Sequence, residues 1–472
     1  MMPDPTLAER PWHALTLAQL DFWEEFRFHP DRPLSTVAHC TVIEGDLDEA
    51  ALIAALHQIA QEAEVLALRF RDGPDGPRQQ VDPARIPVLR YHDLRYEADP
   101  ESAPEPAARK MMERDIAAPI DLAQEPLAAL WLMRVGENRW LWYLRGHHIV
   151  LDGYGVSLIE RRVAALYAQT CGQQAGLGPL RPFEQYLTEE ERYRASPQHA
   201  RDGAYWAQHL ADGPELSVLK KGGEDYGCSA LGAEPDLPAD LPDALRRAAA
   251  AADLGWPDLL TLLSAAWLAR DLPEGGPGRA VWLPYMSRLG SVSATIPALV
   301  VNILPLVVTR RTGETLGAWL GRSGATLRQL RRHGRYRVEQ LAADHGQREG
   351  ERFFFSPLVN VLPFDPPRFP GCTARREVLA AGPGDGFNLT WAAAADGAGL
   401  ALWIDADPAS APAFEAARTG LVPFLARACT PGAAEIPLAA LLASPAAVTR
   451  PRAPAPAQPN AARPIAGRLE DA

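Results

Sequence analysis

His147-His148-Ile149-Val150-Leu151-Asp152-Gly153 sets two imidazoles, a carboxylate and a glycine at the end of an apolar run. The preceding Arg139 to Gly146 (RWLWYLRG) reads as a strand rich in aromatics and leucine. Val156, Ile159, Val163, Leu166 and Tyr167 follow at helical spacing. The stretch therefore marks a strand-to-loop-to-helix junction, a rigid mount for a reacting group. A strand continuing through both histidines sends their side chains to opposite faces, so one faces a substrate and the other is structural. The chemistry on offer is proton transfer.

Blander readings compete with that one. A histidine at a strand end is more often a hydrogen-bonded core residue than a catalyst, and a nearby aspartate is often only a helix N-cap. A zinc site is disfavoured: adjacent strand histidines diverge, Asp152 is the one close carboxylate, and neither HExxH nor clustered cysteines occur.

Outward from the motif, strand and helix patterns alternate. Ser35 to Glu44 is rich in β-branched residues and predicts a strand, and Asp48 predicts the cap of a helix with Leu52, Leu56 and Ile59 as its apolar stripe. A helix is expected at Asp258 to Ala269. Strands are expected near Ala280 to Pro284, Val300 to Val308, Leu358 to Leu362, Phe387 to Ala393 and Leu400 to Ala406. The pattern is mixed α/β. A Gly/Pro/charge-rich stretch, Lys220 to Leu241, separates a first lobe from a second, with the junction placed near residue 190. From Ser444 the chain turns to Pro, Ala and Arg and predicts a disordered tail over 444–472.

At 472 residues the chain exceeds the usual single-domain size, and 47% hydrophobic content is enough for two cores. A formal net charge of -12 argues against a nucleic-acid partner and suits attraction of a polycation. Cys40, Cys171, Cys228, Cys372 and Cys429 are scattered and lack a CxxC pair, which points to reduced thiols. The N-terminus lacks the basic start and apolar core of a signal peptide, and no apolar run reaches the ~18 residues of a membrane span. A cytoplasmic protein is expected.

HHxxxDG resembles the signature of the condensation domains of nonribosomal peptide synthetases, relatives of the chloramphenicol acetyltransferases. Further segments match in order: Leu17-Ala18-Gln19 with Trp23; Glu64, Leu66 and Phe70, with Ala67 where an arginine is usual; Tyr205-Trp206; Val301-Asn302 with Pro305-Leu306; Arg335 to Gln340; and Ser356 to Phe364. Gly255 to Asp258, Trp282 to Arg288 and Gly290 to Val292 are similar to a narrower subgroup, the free-standing amide synthases of vibriobactin-type catecholate siderophore biosynthesis. The resemblance implies two acetyltransferase-like lobes, 1–190 and 191–443, in a V-shaped pseudo-dimer around a tunnel. It also implies amide formation between an aryl acyl group, 2,3-dihydroxybenzoyl, and a free polyamine of spermidine or norspermidine type. The acyl group arrives on the phosphopantetheine arm of a carrier protein, with no cofactor held by the enzyme itself. A chain opening on its own methionine and lacking adenylation and carrier segments reads as a stand-alone enzyme, and a piece cut from a larger synthetase would read the same at its C-terminus. Rival readings are a domain joining two carrier-bound substrates by a peptide or ester bond, and a catalytically silent docking module. Epimerase and cyclase relatives share the motif, but the cyclase form is disfavoured because its paired aspartates are absent.

Roles follow for single residues. An amine with a pKa of about 10 is protonated at neutral pH and must lose a proton before it attacks a thioester. His148 is the expected general base or orienting acceptor. His147 is its hydrogen-bonding support on the strand's other face. The family pattern pairs Asp152 with an arginine of the second lobe, here Arg288, so Asp152 is expected to be structural within the catalytic motif. Gly153 suits a place where a side chain would obstruct substrate or where positive φ is needed. Asn360 matches a tunnel-lining asparagine, against the alternative of a buried amide serving local backbone. Leu289 stands where the subgroup carries tryptophan, which implies a roomier amine channel.

Overall fold

The computed structural model describes residues 10–97, 103–173, 176–223, 226–227, 229–382 and 384–443; the expected tail at 444–472 and Cys228 lie outside them. The chain divides into two units. Unit 1 takes in Met1–Ala195, Arg288–Val300 and Pro366–Gly382; unit 2 takes in Ser196–Ser287, Val301–Asp365 and Pro383–Ala472. The contiguous lobes expected from sequence are corrected in two respects. The first unit runs through the helix Phe183–Arg194 to Ala195, and it recruits two segments from the second half of the chain. The stretch Lys220 to Leu241 lies inside unit 2 and is not a boundary.

In chain order, α1 (Leu17–Phe28) opens with a capping box between Thr16 and Gln19. Then come β1 (Thr36–Gly45), α2 (Glu49–Glu62, capped by Asp48), β2 (Leu89–Asp93), α3 (Pro104–Ile116), β3 (Ala128–Gly136), β4 (Arg139–His147) and α4 (Gly153–Thr170), all in unit 1. Unit 2 begins with the helix Pro197–Ala211 and goes on to β5 (Leu231–Ala233), the helix Leu241–Ala251, α5 (Trp256–Leu268) and β6 (Arg279–Tyr285). After the Arg288–Val300 return to unit 1, it continues with β7 (Asn302–Val308), α6 (Leu316–Arg332) and β8 (Leu358–Pro363). β9 (Cys372–Ala381) is the second return. β10 (Phe387–Ala393), β11 (Ala401–Ala406) and α7 (Ala411–Ala428) follow in unit 2, before a short helix at Leu438–Ala443.

Unit 1 is built on a five-stranded sheet of order β9-β1-β4-β3-β2, antiparallel except for β2 beside β3. Alternation in β4 explains why both faces are apolar. Trp140, Trp142 and Leu144 join a core with Leu52, Leu56 and Ile59 of α2 and Ile159 and Val163 of α4. Leu141 and Tyr143 join a smaller core with Ala108 and Met112 of α3.

Unit 2 carries a six-stranded mixed sheet of order β7-β6-β8-β10-β11-β5. Val281, Leu283, Val359, Leu389, Trp391, Leu402 and Ile404 lie in one core with residues of α5, α6 and α7. Trp391 Nε1 donates to Ser264 Oγ of α5 at 3.1 Å, which fixes that face as the helix-covered one. The alternating residues, among them Asn360, Asn388, Thr390 and Asp405, belong to the opposite face.

Candidate active site

β4 ends at His147, so the alternation expected to separate the two histidines stops one residue short of His148. His147 N donates to Leu127 O at 3.0 Å, and Val150 N returns to His147 O at 3.1 Å in the turn that follows. His148 N donates to Ser35 O at 2.7 Å, which ties the turn to the start of β1. Both rings approach Phe22 of α1: His148 stacks on it with centroids 5.0 Å apart and planes 13° apart, and His147 meets it edge-on at 6.5 Å. One turn earlier on α1, buried Gln19 reaches Ile149 O at 3.4 Å. The opening Ala18-Gln19 motif thus supports the histidine loop.

His147 is buried, and its Nδ1 accepts from Ile149 N at 3.1 Å. Burial, followed by the neighbouring His148 and Arg145, lowers its pKa to about 3. A neutral ring with an accepting Nδ1 carries its proton on Nε2. His148 is half-buried, and its pKa is lowered by burial against the opposing influence of Asp152 and the backbone of His148 and Leu151. No hydrogen bond of normal geometry reaches its Nδ1 among the described residues. The imidazole is therefore neutral near pH 7 and able to accept a proton.

The other edge of the ring meets a residue that the sequence did not single out. Gly382, just beyond β9, has φ +80°, and its N donates to Thr36 O at 3.0 Å. A β-carbon there would lie 2.7 Å from His148 Cδ2. β9 is held in place by a buried network. Glu160 of α4 accepts from His39 Nδ1 of β1 at 2.9 Å and from Arg376 Nε of β9 at 2.6 Å. Burial alone would raise the Glu160 carboxyl, but its hydrogen bonds to His39 and Arg376 and their charges hold it below its ordinary value.

Asp152 is 2% exposed and does structural work on both sides of the motif. Its Oδ1 accepts from Gly155 N at 2.8 Å, capping α4, and its two oxygens receive Arg288 Nη2 at 2.8 and 2.9 Å. Oδ2 also accepts from Val300 N at 2.9 Å. Arg288 in turn donates to Ile296 O at 2.7 Å and Ala298 O at 2.6 Å, and its guanidinium lies 4.6 Å from the Tyr154 ring centroid. Arg288 was expected to come from the second lobe. It belongs to the Arg288–Val300 segment of unit 1, so the pair closes within one unit.

For Gly153 the positive-φ alternative is corrected: its φ is not positive, and a β-carbon there would meet nothing within 4 Å of the fold, so neither backbone strain nor a close neighbour requires glycine, and the alternative of space kept clear for substrate stands apart from both. Leu289 is 100% exposed, with no side chain packed on it among the described residues; it forms no part of an enclosed wall.

In unit 2, Asn360 is half-buried on the face away from the helices, paired with Thr390, and its amide makes no hydrogen bond to a described residue. That separates it from Asn302, which is fully buried: its Nδ2 donates to Gly334 O and Tyr336 O at 2.8 Å, and its Oδ1 accepts from Val338 N at 3.0 Å. Asn302 closes a corner of the fold; Asn360 has hydrogen-bonding capacity to spare. Among the described residues, no group of three or more His, Cys, Asp or Glu is placed to hold a metal, and no helix is long and apolar enough to cross a membrane.

Residues 12–365 match the family model of the condensation domain. The chain is 33% identical over 398 residues to a dimodular nonribosomal peptide synthase of Bacillus subtilis and 36% identical over 403 residues to an isonitrile lipopeptide synthase of Streptomyces coeruleorubidus. Those alignments cover 84% of this chain but 16% and 27% of the relatives. It is 31% identical to enterobactin synthase component F of Escherichia coli O157:H7 over 79% of this chain and 29% of that one. Among solved structures, VibH, an NRPS condensation enzyme, matches with a TM-score of 0.79 at 33% identity, covering 92% of this chain and all of VibH (100%). A starter condensation domain of rhizomide synthetase RzmA matches with a TM-score of 0.75 at 32% identity, covering 91% of this chain and 96% of that one.

Proposed function

Because the chain belongs to the condensation-domain family of nonribosomal peptide synthesis, with that family's two-lobed acetyltransferase-like fold, we propose that it acylates a free polyamine with a carrier-bound aryl group in siderophore biosynthesis. The donor in this reading is a 2,3-dihydroxybenzoyl thioester on the phosphopantetheine arm of an aryl carrier protein, and the reaction takes place in the cytoplasm. One observation carries it: the match to VibH extends over the whole of that condensation enzyme, and the segments similar to the free-standing subgroup stand at Gly255 to Asp258, Trp282 to Arg288 and Gly290 to Val292.

The chemistry then follows from the residues. The amine nitrogen attacks the thioester carbonyl, a C–N bond forms, the C–S bond breaks and the pantetheine thiolate leaves. The proton lost by the nitrogen passes to neutral His148 and from there to the thiolate. Phe22 and Gly382 fix the ring's plane and position, and Gln19 and the Asp152–Arg288 pair fix the loop that carries it.

A second reading, condensation of two carrier-bound substrates, is favoured by the multidomain relatives, of which the chain spans 16% to 29%. A competition assay separates the two. Dihydroxybenzoyl carrier is offered with free spermidine and with a carrier-bound amino acid in one tube, and products are weighed by mass spectrometry. Acyl-spermidine supports the proposal; acyl transfer only to the second carrier overturns it.

A further inference from the structure

Unit 2 presents a sheet face on which polar residues stand among apolar ones such as Leu358 and Trp403, and the placing of the polar ones suits a long polyamine. Strand register puts Asn360 of β8 beside Thr390 of β10 and Thr390 beside Trp403 of β11; two residues along, Asn388 of β10 pairs with Asp405 of β11, and Asp405 pairs with Gly232 of β5. Partners in register share a face, so Asn360, Asn388, Thr390 and Asp405 lie together, opposite the core residues Val359, Leu389, Leu402 and Ile404.

Asp405 stands out on this face. It is half-buried, and its carboxylate has no hydrogen bond or ion pair with any described residue. On one side Asn388 directs its amide toward Gly384, where a β-carbon would fall 2.7 Å from Nδ2. On the other side a β-carbon at Gly232 would meet nothing within 4 Å, so open space lies beside the carboxylate over the sheet's edge. Burial raises the Asp405 carboxyl to about 6, so at pH 7 it is mainly ionised. Because its folded pKa exceeds the unfolded value of 3.8, ionisation works against the fold: the stability it contributes is present below pH 3.8 and lost as pH rises through about 6. An asparagine would fill the same volume without that cost. The fold keeps a charge that it does not neutralise.

We infer that Asp405 binds an ammonium group of the polyamine acceptor, while Asn360 on the same face of unit 2 holds a second nitrogen of the same molecule. This rests on the polyamine reading above. Spacing supports it: two strand steps and two residues separate Asn360 from Asp405, roughly 12 Å at ordinary sheet dimensions. An extended triamine of spermidine length spans about 11 Å between its terminal nitrogens at ~1.25 Å per bond. A monoamine has nothing to offer the carboxylate.

The test compares spermidine with butylamine as acceptors for the wild-type chain, Asp405→Asn and Asp405→Glu, with dihydroxybenzoyl carrier as donor. In Asp405→Asn the preference for spermidine over butylamine should fall about 10- to 100-fold, the value of one charged hydrogen-bonded contact. The loss should appear as a raised KM for spermidine, and Asp405→Glu should restore most of it. Melting at pH 8 separates binding from folding: Asp405→Asn should melt no lower than the parent. An unchanged spermidine preference in Asp405→Asn overturns the inference and leaves the polyamine reading standing. Acylation of neither free amine by the wild-type chain overturns both.

Discussion

Gly382 lies against the edge of the His148 ring: a β-carbon at that position would stand 2.7 Å from Cδ2 and 3.6 Å from Nε2. With Phe22 stacked on the ring's face, the imidazole is held from two sides by residues far apart in sequence. A glycine is required here twice over, by φ +80° and by the contact.

Gly382→Ala is expected to push the imidazole off Phe22 and slow acyl transfer on the order of 100-fold, the effect of a displacement of about 1 Å in a reacting group. The strained backbone should cost about 1–3 kcal/mol of stability. Single-turnover rates beside melting curves check this, and a variant with the parent's rate would show that the contact does not position His148.

Asp152→Asn leaves Arg288 buried without its counter-charge. Removing one partner of such a pair typically costs about 3–5 kcal/mol, whereas the α4 cap itself survives because asparagine also caps well. Urea unfolding should show the loss. Asp152→Asn combined with Arg288→Met should cost less than the sum of the single changes. Strict additivity would mean that the two side chains do not stabilise each other.

The fold was legible where local rules dominate. The Asp48 cap, the strand Phe387–Ala393 and the strand before the histidines stand where alternation and capping put them. The Asp152–Arg288 contact was legible through the family resemblance alone, since 136 positions separate the two residues. Phe22 and Gly382 were not legible. Phe22 reads as one more apolar residue of an amphipathic helix, and Gly382 as one of several glycines in a loop; only tertiary packing sets either against His148. The same reason hid β9: its exposed and half-buried residues give a weak pattern, because it is an edge strand completing a sheet begun more than 300 residues earlier. Leu289 was misplaced by analogy, since a matching position does not guarantee a matching environment.

His147 and His148 together set the acid side of the stability curve. His147 titrates near 6.5 when unfolded and at about 3 when folded. Between these values the unfolded chain binds a proton that the folded chain refuses, so its contribution is complete above about pH 6.5 and is lost as pH falls toward about 3. His148, also lowered by burial, acts in the same direction. His147→Asn should make unfolding free energy less steep between about pH 6 and about pH 4, by at most about 1.4 kcal/mol per pH unit. An unchanged slope would show that His147 is not the residue withheld from protonation.

The proposed passage of an attacking free amine's proton to neutral His148 is tested by the single-turnover rate of transfer from dihydroxybenzoyl carrier to spermidine at pH 7, for the wild-type chain and for His148→Ala. The amide product is expected from the wild-type chain, with a rate about 100- to 10,000-fold lower in His148→Ala and matching melting curves for the two. Equal rates in the two proteins, or no amide from the wild-type chain, would contradict it.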